Sequence, residues 1–402
     1  MSRKPLDEDG LISRLSGRFR DDGLEDRYLE FRHGQDLQGL RWVLFSMIGL
    51  SALFSYVDWT FVAVDVYFDI LMLRLGGLVP AVILLLYVRP KSSPLWTQRL
   101  TGLAGFAFLA SILPISLILP PDPVSIAVAG ALILSAYTVV PLLFVYRVVV
   151  SLVYTAGVVF LILPTLDGAV FNSNLFLLIA VNVLGIIADR STGTARRNEY
   201  LLLQRIFPQS VIMRMQRGER VADEFPAVSI LFADLVGFTD LSTRLNAREV
   251  VALLDRLFER FDSLCDQEGV EKIKTIGDSY MAAAGLPAPR ADHAQALIRL
   301  ARGMFDAVRD IGGGALQLRI GIHSGPVFAG VIGSRRQLYD LWGDTVNLAS
   351  RMESQGVAGD IQISAATRAL LGESYATETR GPLEIKGRGV MDVYLVRSAS
   401  ES

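Results

Sequence analysis

The sequence predicts a multi-pass α-helical membrane domain followed by an α+β domain. Two observations indicate this division: residues from about Arg41 to Asp189 are almost continuously apolar, and the chain from Arg190 onward has ordinary globular composition with alternating strand and helix patterns. A chain of 402 residues is long enough for two or three domains. We therefore divide it into an N-terminal segment, a membrane domain, a helical connector and an α+β domain, at residues 1–40, 41–189, 190–224 and 225–402.

Six apolar stretches make up the membrane domain. A bilayer core is crossed by about 20 mostly apolar residues in a helix, and short breaks rich in proline or charge separate the stretches. They are Trp42–Tyr56, Asp69–Val88, Leu103–Leu119, Val124–Val145, Val148–Leu166 and Leu175–Ala188. The rest of the chain is too short to cover six such helices, so we expect them to lie in a lipid bilayer.

Charges in the breaks predict the orientation of these helices. The basic residues fall before the first stretch, in alternate breaks and at the exit: Arg27, Arg32, Arg41, Arg89, Lys91, Arg99, Arg147, Arg190, Arg196 and Arg197. The other breaks carry only acidic residues: Asp58, Asp65, Asp122 and Asp167. By the positive-inside rule, the N-terminus and the C-terminal domain face the cytoplasm from the cell membrane. The polar first 32 residues do not resemble a cleavable signal peptide.

Arg74 lies inside the second apolar stretch, with Asp69 nearby in sequence. An ionisable residue at this depth in a membrane helix is a candidate for a functional role. A structural role, in which Arg74 snorkels to the membrane surface or forms an ion pair, is at least as well supported. The six helices could serve as an anchor, a dimerisation device, a receptor for an unidentified ligand or a transporter. No stretch has the dense polar pattern of a proton relay, which argues against transport.

Apolar residues at helical spacing predict a helical connector that Pro208 ends or kinks. The first set is Leu201, Leu202, Ile206 and Phe207, and the second is Val211, Ile212 and Met215. Three or four heptads would be needed for a coiled coil, and the connector is shorter than that.

Composition excludes two classes of partner or site. The formal net charge of −2 comes without a basic patch, so we expect no nucleic-acid partner. The single cysteine, Cys265, excludes an internal disulfide and a multi-cysteine zinc site.

Strand and helix patterns alternate from Ala227 to the end of the chain. We expect a strand at Val228–Ala233, a helix at Ala247–Gln267 capped by Asn246, a hairpin of Ile273–Ile276 and Tyr280–Ala284, a helix at Ala291–Asp310, a strand pair of Leu316–Ile322 and Val327–Ile332, a helix at Thr345–Met352 and a last strand at Val393–Val396. This order predicts a ferredoxin-like α+β sheet with additions.

Two aspartates stand at the ends of predicted strands. Asp234 closes the first strand, and Asp278 lies in the hairpin turn. If the strand pairs beside the hairpin, both carboxylates reach one edge of the sheet, where oxygen ligands would suit Mg²⁺. Backbone amides of the turn that contains Phe238 and Thr239 could bind phosphates. The alternative is that both aspartates only form turns.

Four sequence blocks resemble the class III nucleotidyl cyclases. They are Phe232–Thr239 (FADLVGFT), Lys272–Met281 (KIKTIGDSYM), Gly321–Pro326 (GIHSGP) and Tyr339–Met352 (YDLWGDTVNLASRM). The resemblance covers roughly Leu201 to Val396, and six membrane helices before one such domain resemble half of the twelve-span mammalian adenylyl cyclases. It implies a membrane adenylyl cyclase that forms cyclic AMP and pyrophosphate from ATP.

The resemblance also implies a role for each matched residue. Asp234, Asp278 and the Leu235 carbonyl would bind two Mg²⁺ or Mn²⁺ ions per site. Lys274 and Asp340 would select adenine over guanine, because guanylyl cyclases typically carry Glu and Cys there. Asn347 would orient the ribose, Arg351 would stabilise charge at the α-phosphate, and Lys386 would bind the terminal phosphates.

The resemblance further implies a homodimer whose two sites are each shared between protomers. Two alternatives stay open at this point. One is a guanylyl or dual-specificity cyclase. The other is a membrane receptor whose cyclase-like domain only binds nucleotide.

Overall fold

The structure is a computed structural model, and it describes residues 11–13, 18–89, 92–119, 130–134, 136–137, 143–314, 316–333, 335–385 and 388–397. The chain divides into two compact units, Lys4–Leu202 and Leu203–Ser402.

Long helices form the first unit. They are α1 (Asp22–Phe61), α2 (Val64–Tyr87), α3 (Pro94–Ile118), α4 (Phe144–Gly157) and α5 (Gly168–Gln204). Helix α4 continues through a π-helical turn, Val158–Ile162, into a 3₁₀ turn, Leu163–Thr165. Among the described residues, five helices are long and apolar enough to cross a membrane.

The fourth predicted stretch, Val124–Val145, lies largely outside the described residues. Within it, residues 130–134 and 136–137 are helical. Six membrane-crossing helices therefore stay a prediction.

The first unit carries large apolar side chains on its outside and ionic groups inside. Trp42, Phe160 and Phe176 are each more than two-thirds exposed. Arg74 pairs with Asp58 at 2.8 Å, so its partner is not the Asp69 that lies near it in sequence. The difference arises because α1 extends through Asp58, a residue that the sequence pattern assigned to a break between helices. This contact supports an ion-paired structural role for Arg74.

Helix α1 begins inside the predicted N-terminal segment and is tied to α5. Its Asp21 N-cap accepts a hydrogen bond from the backbone amide of Leu24, as an N-terminal cap should. Glu25 is fully buried and pairs with Arg197 of α5 at 2.8 Å. The polar segment from Asp21 to Glu25 therefore packs as part of the helical unit.

Pro208 separates two helices in the connector. Helix α5 runs on past the predicted sixth stretch to Gln204, and α6 (Gln209–Gln216) begins directly after the proline. A proline cannot donate a backbone hydrogen bond inside a helix but is tolerated at its start. The helix therefore breaks at Pro208, as the sequence pattern indicates, and the connector at residues 190–224 stays a prediction.

The described strands of the second unit form one mixed sheet. They are β1 (Ala222–Val236), β2 (Glu271–Ile276), β3 (Ser279–Ala284), β4 (Gln317–Ile332), β5 (Leu338–Trp342), β6 (Ile361–Ser364), β7 (Thr377–Ile385) and β8 (Gly389–Val396). Their order is β2-β3-β1-β4-β6-β8-β7, and β5 pairs with β4 off this path. The β4–β6 pair is parallel, whereas the other pairs are antiparallel.

The predicted strand pair at Leu316–Ile322 and Val327–Ile332 is wrong. Both segments belong to the single strand β4, although Gly325-Pro326 is a sequence typical of a turn. Strand β1 runs antiparallel to β4 from Ala222 opposite Gly330 to Val236 opposite Gln317. The register shifts between Phe225 and Val228, which face the Pro326 region. A proline without an amide donor fits a strand at such an irregularity.

Helices cover both faces of the sheet. They are α7 (Phe238–Ser242), α8 (Ala247–Glu268), α9 (His293–Gly312), α10 (Asp344–Ser354) and α11 (Ala365–Leu371). Helices α8 and α9 pack on one face through the main apolar core, and α8 carries the expected cap at Asn246 as a capping box with Glu249. Helix α10 lies on the other face. It approaches β4 at Gly321, where an added Cβ would lie 1.9 Å from the Glu353 nitrogen.

Candidate functional site

Two carboxylates meet at one edge of the sheet. Strand β3 lies beside β1, and their last paired residues are Ala233 and Tyr280, so Asp234 and the hairpin turn are neighbours. The Ser279 hydroxyl donates to Asp234 Oδ1 at 2.5 Å. Burial and the nearby Asp234 charge raise the pKa of Asp278. The structure thus brings together the aspartates that the sequence singled out, and their role in binding metal stays a prediction.

Arg319 belongs to this edge, and the sequence analysis missed it. It faces Asp234 across the β1–β4 ladder, with Nη2 at 3.1 Å from Asp234 Oδ2. Its Nε donates to Glu353 Oε1 of α10 at 2.7 Å. Gly321 allows α10 to come this close, because it has no side chain there. The sequence did contain a signal for this contact. Arg319 interrupts the apolar run from Leu318 to Ile322, and a charged side chain within a buried strand needs a partner of opposite charge.

Negative charge at this edge fits a cation. Asp234 and Asp278 both act electrostatically on buried Glu353, whose pKa is raised chiefly by burial although Arg319 opposes the shift. Among the described residues, no group of three or more His, Cys, Asp and Glu side chains could hold a metal. A cation on the two aspartates would therefore need further oxygens. Mg²⁺ commonly takes them from water and substrate phosphates.

The turn after β1 presents backbone rather than side chains to this edge. Leu235 is buried in the core, 3% exposed, so only its backbone could reach a ligand. Gly237 adopts a left-handed φ of +88°, and the five-residue helix α7 follows with Phe238 half-buried and Thr239 exposed. Phosphate binding by this turn stays a prediction.

Lys274 and Asp340 form an ion pair although 66 residues separate them in sequence. Lys274 Nζ lies 2.5 Å from Asp340 Oδ2. Their side chains are 29% and 12% exposed, respectively. Asp340 Oδ1 accepts a hydrogen bond from the backbone amide of Leu341 at 2.9 Å, which fixes the carboxylate on β5. A donor and an acceptor are thus held side by side in a half-buried position.

Asn347 and Arg351 are exposed one turn apart on α10. Neither side chain makes a hydrogen bond or ion pair with the part of the chain that the structure describes, so both are free to meet a ligand. Asp344, in the first turn of this helix, is ion-paired with Arg388. Lys386 lies outside the described residues, and its role stays a prediction.

His323 has a partner in the protein interior. Its Nδ1 is 2.6 Å from the Ser364 hydroxyl, and burial lowers its pKa to about 4. The imidazole is therefore neutral near pH 7. This arrangement supports the local structural role that the sequence suggested for it.

The second half of the chain is similar to known proteins. Residues 221–398 match the family model of the adenylate and guanylate cyclase catalytic domain. The adenylate cyclase of Mycobacterium tuberculosis is 45% identical over 195 residues, which is 47% of this chain and 44% of that protein. The human atrial natriuretic peptide receptor 2 is 44% identical over 226 residues, which is 54% of this chain and 22% of that receptor.

A solved structure is similar over a comparable share of the chain. The guanylate cyclase domain of RhGC from Catenaria anguillulae, in complex with GTP, is 36% identical, with 44% of this chain and 98% of that chain covered and a TM-score of 0.43. The present chain spans less than half the length of the mycobacterial relative that it matches. The match of residues 221–398 to the family model identifies this part of the chain as a class III nucleotidyl cyclase catalytic domain.

Proposed function

We propose that this protein is an adenylate cyclase that converts ATP into 3′,5′-cyclic AMP and pyrophosphate. The observation that carries the proposal is the contact between Lys274 Nζ and Asp340 Oδ2. An ammonium group can donate to adenine N1, and a carboxylate can accept from the adenine 6-amino group. Guanine presents the opposite pattern at that edge, so this pair favours ATP over GTP.

The reaction forms one bond and breaks another at the α-phosphorus. The ribose 3′-oxygen loses its proton and bonds to the α-phosphorus, while the bond from that phosphorus to the α–β bridging oxygen breaks and pyrophosphate leaves. Bound divalent cations, Mg²⁺ or Mn²⁺ and two per site, would activate the attacking oxygen and neutralise the leaving phosphates. Asp234 and Asp278 would hold them, with the Leu235 carbonyl.

The remaining groups position the nucleotide and stabilise developing charge. Asn347 orients the ribose, and the Arg351 guanidinium donates to the α-phosphate as its charge grows in the transition state. Lys386 binds the terminal phosphates, and the amides of Phe238 and Thr239 contact the phosphate chain. Groups that act on the transition state support catalysis over a receptor domain that only binds nucleotide.

A homodimer with two shared sites is part of the proposal. Asp234 and Asp278 of one protomer act with the base, ribose and phosphate groups of its partner. The exposed, unpaired Asn347 and Arg351 support this arrangement, because they are free to face a ligand held by another chain. A two-fold axis then forms two equivalent sites.

The full assembly would be a cell-membrane protein with six crossing helices and a cytoplasmic catalytic domain. Five apolar helices support the membrane assignment. For the catalytic domain, the order β2-β3-β1-β4 supports a ferredoxin-like core. The membrane half would mainly hold two catalytic domains together.

A purified full-length dimer is expected to turn over ATP faster than GTP in the presence of Mn²⁺, and the double variant Lys274→Glu/Asp340→Cys is expected to lower that ratio. A donor or acceptor without its partner costs about 1–3 kcal/mol, which is on the order of tenfold in relative turnover. Cyclic AMP and cyclic GMP formation is measured for both proteins.

Lys272→Glu is the matched control for this measurement. Exposed Lys272 lies on the same strand, but it pairs with half-buried Asp262 at 2.8 Å, so its replacement should leave the ATP to GTP ratio unchanged. An unchanged ratio in the double variant would show that Lys274 and Asp340 do not contact the base.

The role of the membrane half is tested by removing it. Residues 190–402 alone should be a soluble enzyme whose specific activity rises with protein concentration, because dimerisation becomes bimolecular. The activity is measured across a dilution series, with the full-length dimer in membranes as the control. Full activity of the shortened chain at nanomolar concentration, without concentration dependence, would assign the membrane half another role.

Guanylate cyclase activity is the second candidate. The human guanylate cyclase soluble subunit beta-2, which is 39% identical to this chain over 216 residues, favours it by its name. Faster turnover of GTP than of ATP by the purified protein would establish it over the first proposal.

A further inference from the structure

One end of the first unit encloses an arginine-rich cavity. Its volume is about 600 Å³, within the range of ligand pockets. Among the described residues, seven arginines and four carboxylates line it, so positive charge exceeds negative. These arginines come from the N-terminal segment, from the breaks between apolar stretches and from the exit of the last helix. The fold therefore gathers at one place charges that are far apart in sequence.

Some of these arginines are already neutralised by partners. Arg32 pairs with Asp36 at 2.6 Å, and Arg147 pairs with Asp189 at 2.7 Å. Arg197 pairs with Glu25. These contacts shape the cavity wall and do not leave a charge for a ligand.

Three other arginines on the cavity wall form no ion pair within the described residues, although Arg196 lies near enough to Asp36 and Asp189 to interact with both electrostatically. Arg99 and Arg196 are exposed, and Arg190 packs its guanidinium 5.5 Å from the ring centre of Phe144. Four buried polar atoms on the same wall have no hydrogen-bond partner within the described residues: Tyr28 Oη, Gln98 Oε1, Arg147 Nε and Asp189 Oδ2. Cationic groups outside ion pairs, together with unpaired buried polar atoms around one cavity, indicate a binding site.

The ligand that fits is an anion with an apolar portion. Arginine binds phosphate through several donors at once. Leu29, Leu95, Leu143 and Val145 also line the cavity, and the helices around it are those that can cross a membrane. Basic pockets between membrane helices bind anionic lipid headgroups.

We propose that this cavity binds a phosphate-bearing anion, with an anionic phospholipid headgroup as its source in the membrane. The site is independent of the cyclase reaction. It would make the first unit a lipid-binding module in addition to an anchor.

The test uses full-length protein in neutral detergent and native mass spectrometry. Dioctanoyl phosphatidylglycerol, dioctanoyl phosphatidylcholine and glycerol 3-phosphate are titrated separately. Saturable binding of phosphatidylglycerol is expected, and it should weaken about a hundredfold in Arg99→Gln/Arg190→Gln/Arg196→Gln, because each arginine near an anionic headgroup contributes roughly fivefold.

The control variant removes three exposed arginines that do not line the cavity. In Arg20→Gln/Arg41→Gln/Arg89→Gln the same charge is lost, and binding should stay within about twofold of wild type. If the first triple variant does not fold, Arg196→Gln alone should weaken binding about fivefold.

The outcomes separate the sources of the anion. Binding of phosphatidylglycerol alone supports the lipid headgroup, whereas equal binding of glycerol 3-phosphate supports a free phosphate compound at the same site. Equal binding of phosphatidylcholine and phosphatidylglycerol, or unchanged binding in the cavity variants, would overturn the proposal.

Discussion

Asp278→Ala is expected to lower cyclase activity at least about a hundredfold while the protein still folds and enters the membrane. The carboxylate lies in the β2–β3 turn beside Asp234, where under the proposed mechanism it holds the cations that contact the reacting phosphates. Such cations contribute several kcal/mol of transition-state stabilisation, and each 1.4 kcal/mol corresponds to about tenfold in rate. Asp234→Ala should have the same effect.

The measurement compares initial rates of cyclic AMP formation with the thermal unfolding midpoint of each variant. Asp240→Ala is the matched control, because Asp240 is an exposed aspartate six residues beyond Asp234 on α7. Its activity should stay near that of wild type. If either Asp234→Ala or Asp278→Ala keeps more than about a tenth of wild-type activity, the assignment of these residues as metal ligands is wrong.

Mixed dimers are expected to recover activity that neither parent has. Asp278→Ala and Arg351→Ala chains should each be nearly inactive alone, since each damages both sites of its own homodimer. A mixed dimer has one doubly damaged site and one intact site. The isolated mixed dimer should therefore reach about half of wild-type activity, and an unsorted co-expression about a quarter.

Two affinity tags isolate the mixed species for this measurement. Asp234→Ala paired with Asp278→Ala is the control, because both changes affect the same half of the site and leave neither site intact. Recovery in the first pair but not in the second is the expected result. If the first pair shows no more activity than the sum of its parents, each protomer builds its site alone.

Local sequence signals predicted the elements that position the site. The Gly277-Asp278 turn between two short apolar runs indicated the hairpin, and Asn246 marked the start of α8. The four blocks that resemble the cyclases contain all the residues proposed to act, apart from Lys386. These signals depend on residues close together in the chain, so they could be read without the fold.

Contacts between distant residues could not be read in the same way. Arg319 meets Asp234 because of the cross-strand register of β1 and β4, and the division of β4 into two predicted strands hid that register. Asp58 pairs with Arg74 because α1 continues past the end of its apolar stretch. Hydropathy shows where a helix is lipid-compatible but does not show where its hydrogen bonding stops.

The ion pair between Lys274 and Asp340 affects two properties of the site differently: the affinity for a nucleotide and the selectivity between bases. In the structure, the donor and the acceptor satisfy each other. A base that supplies both complementary groups replaces this contact with two others, so the net gain in affinity is small. A base that supplies neither group leaves two half-buried polar groups without partners, and this penalty is larger than the gain from one good contact. Under the proposed assignment, strong discrimination is therefore compatible with weak substrate binding and rapid release of the product.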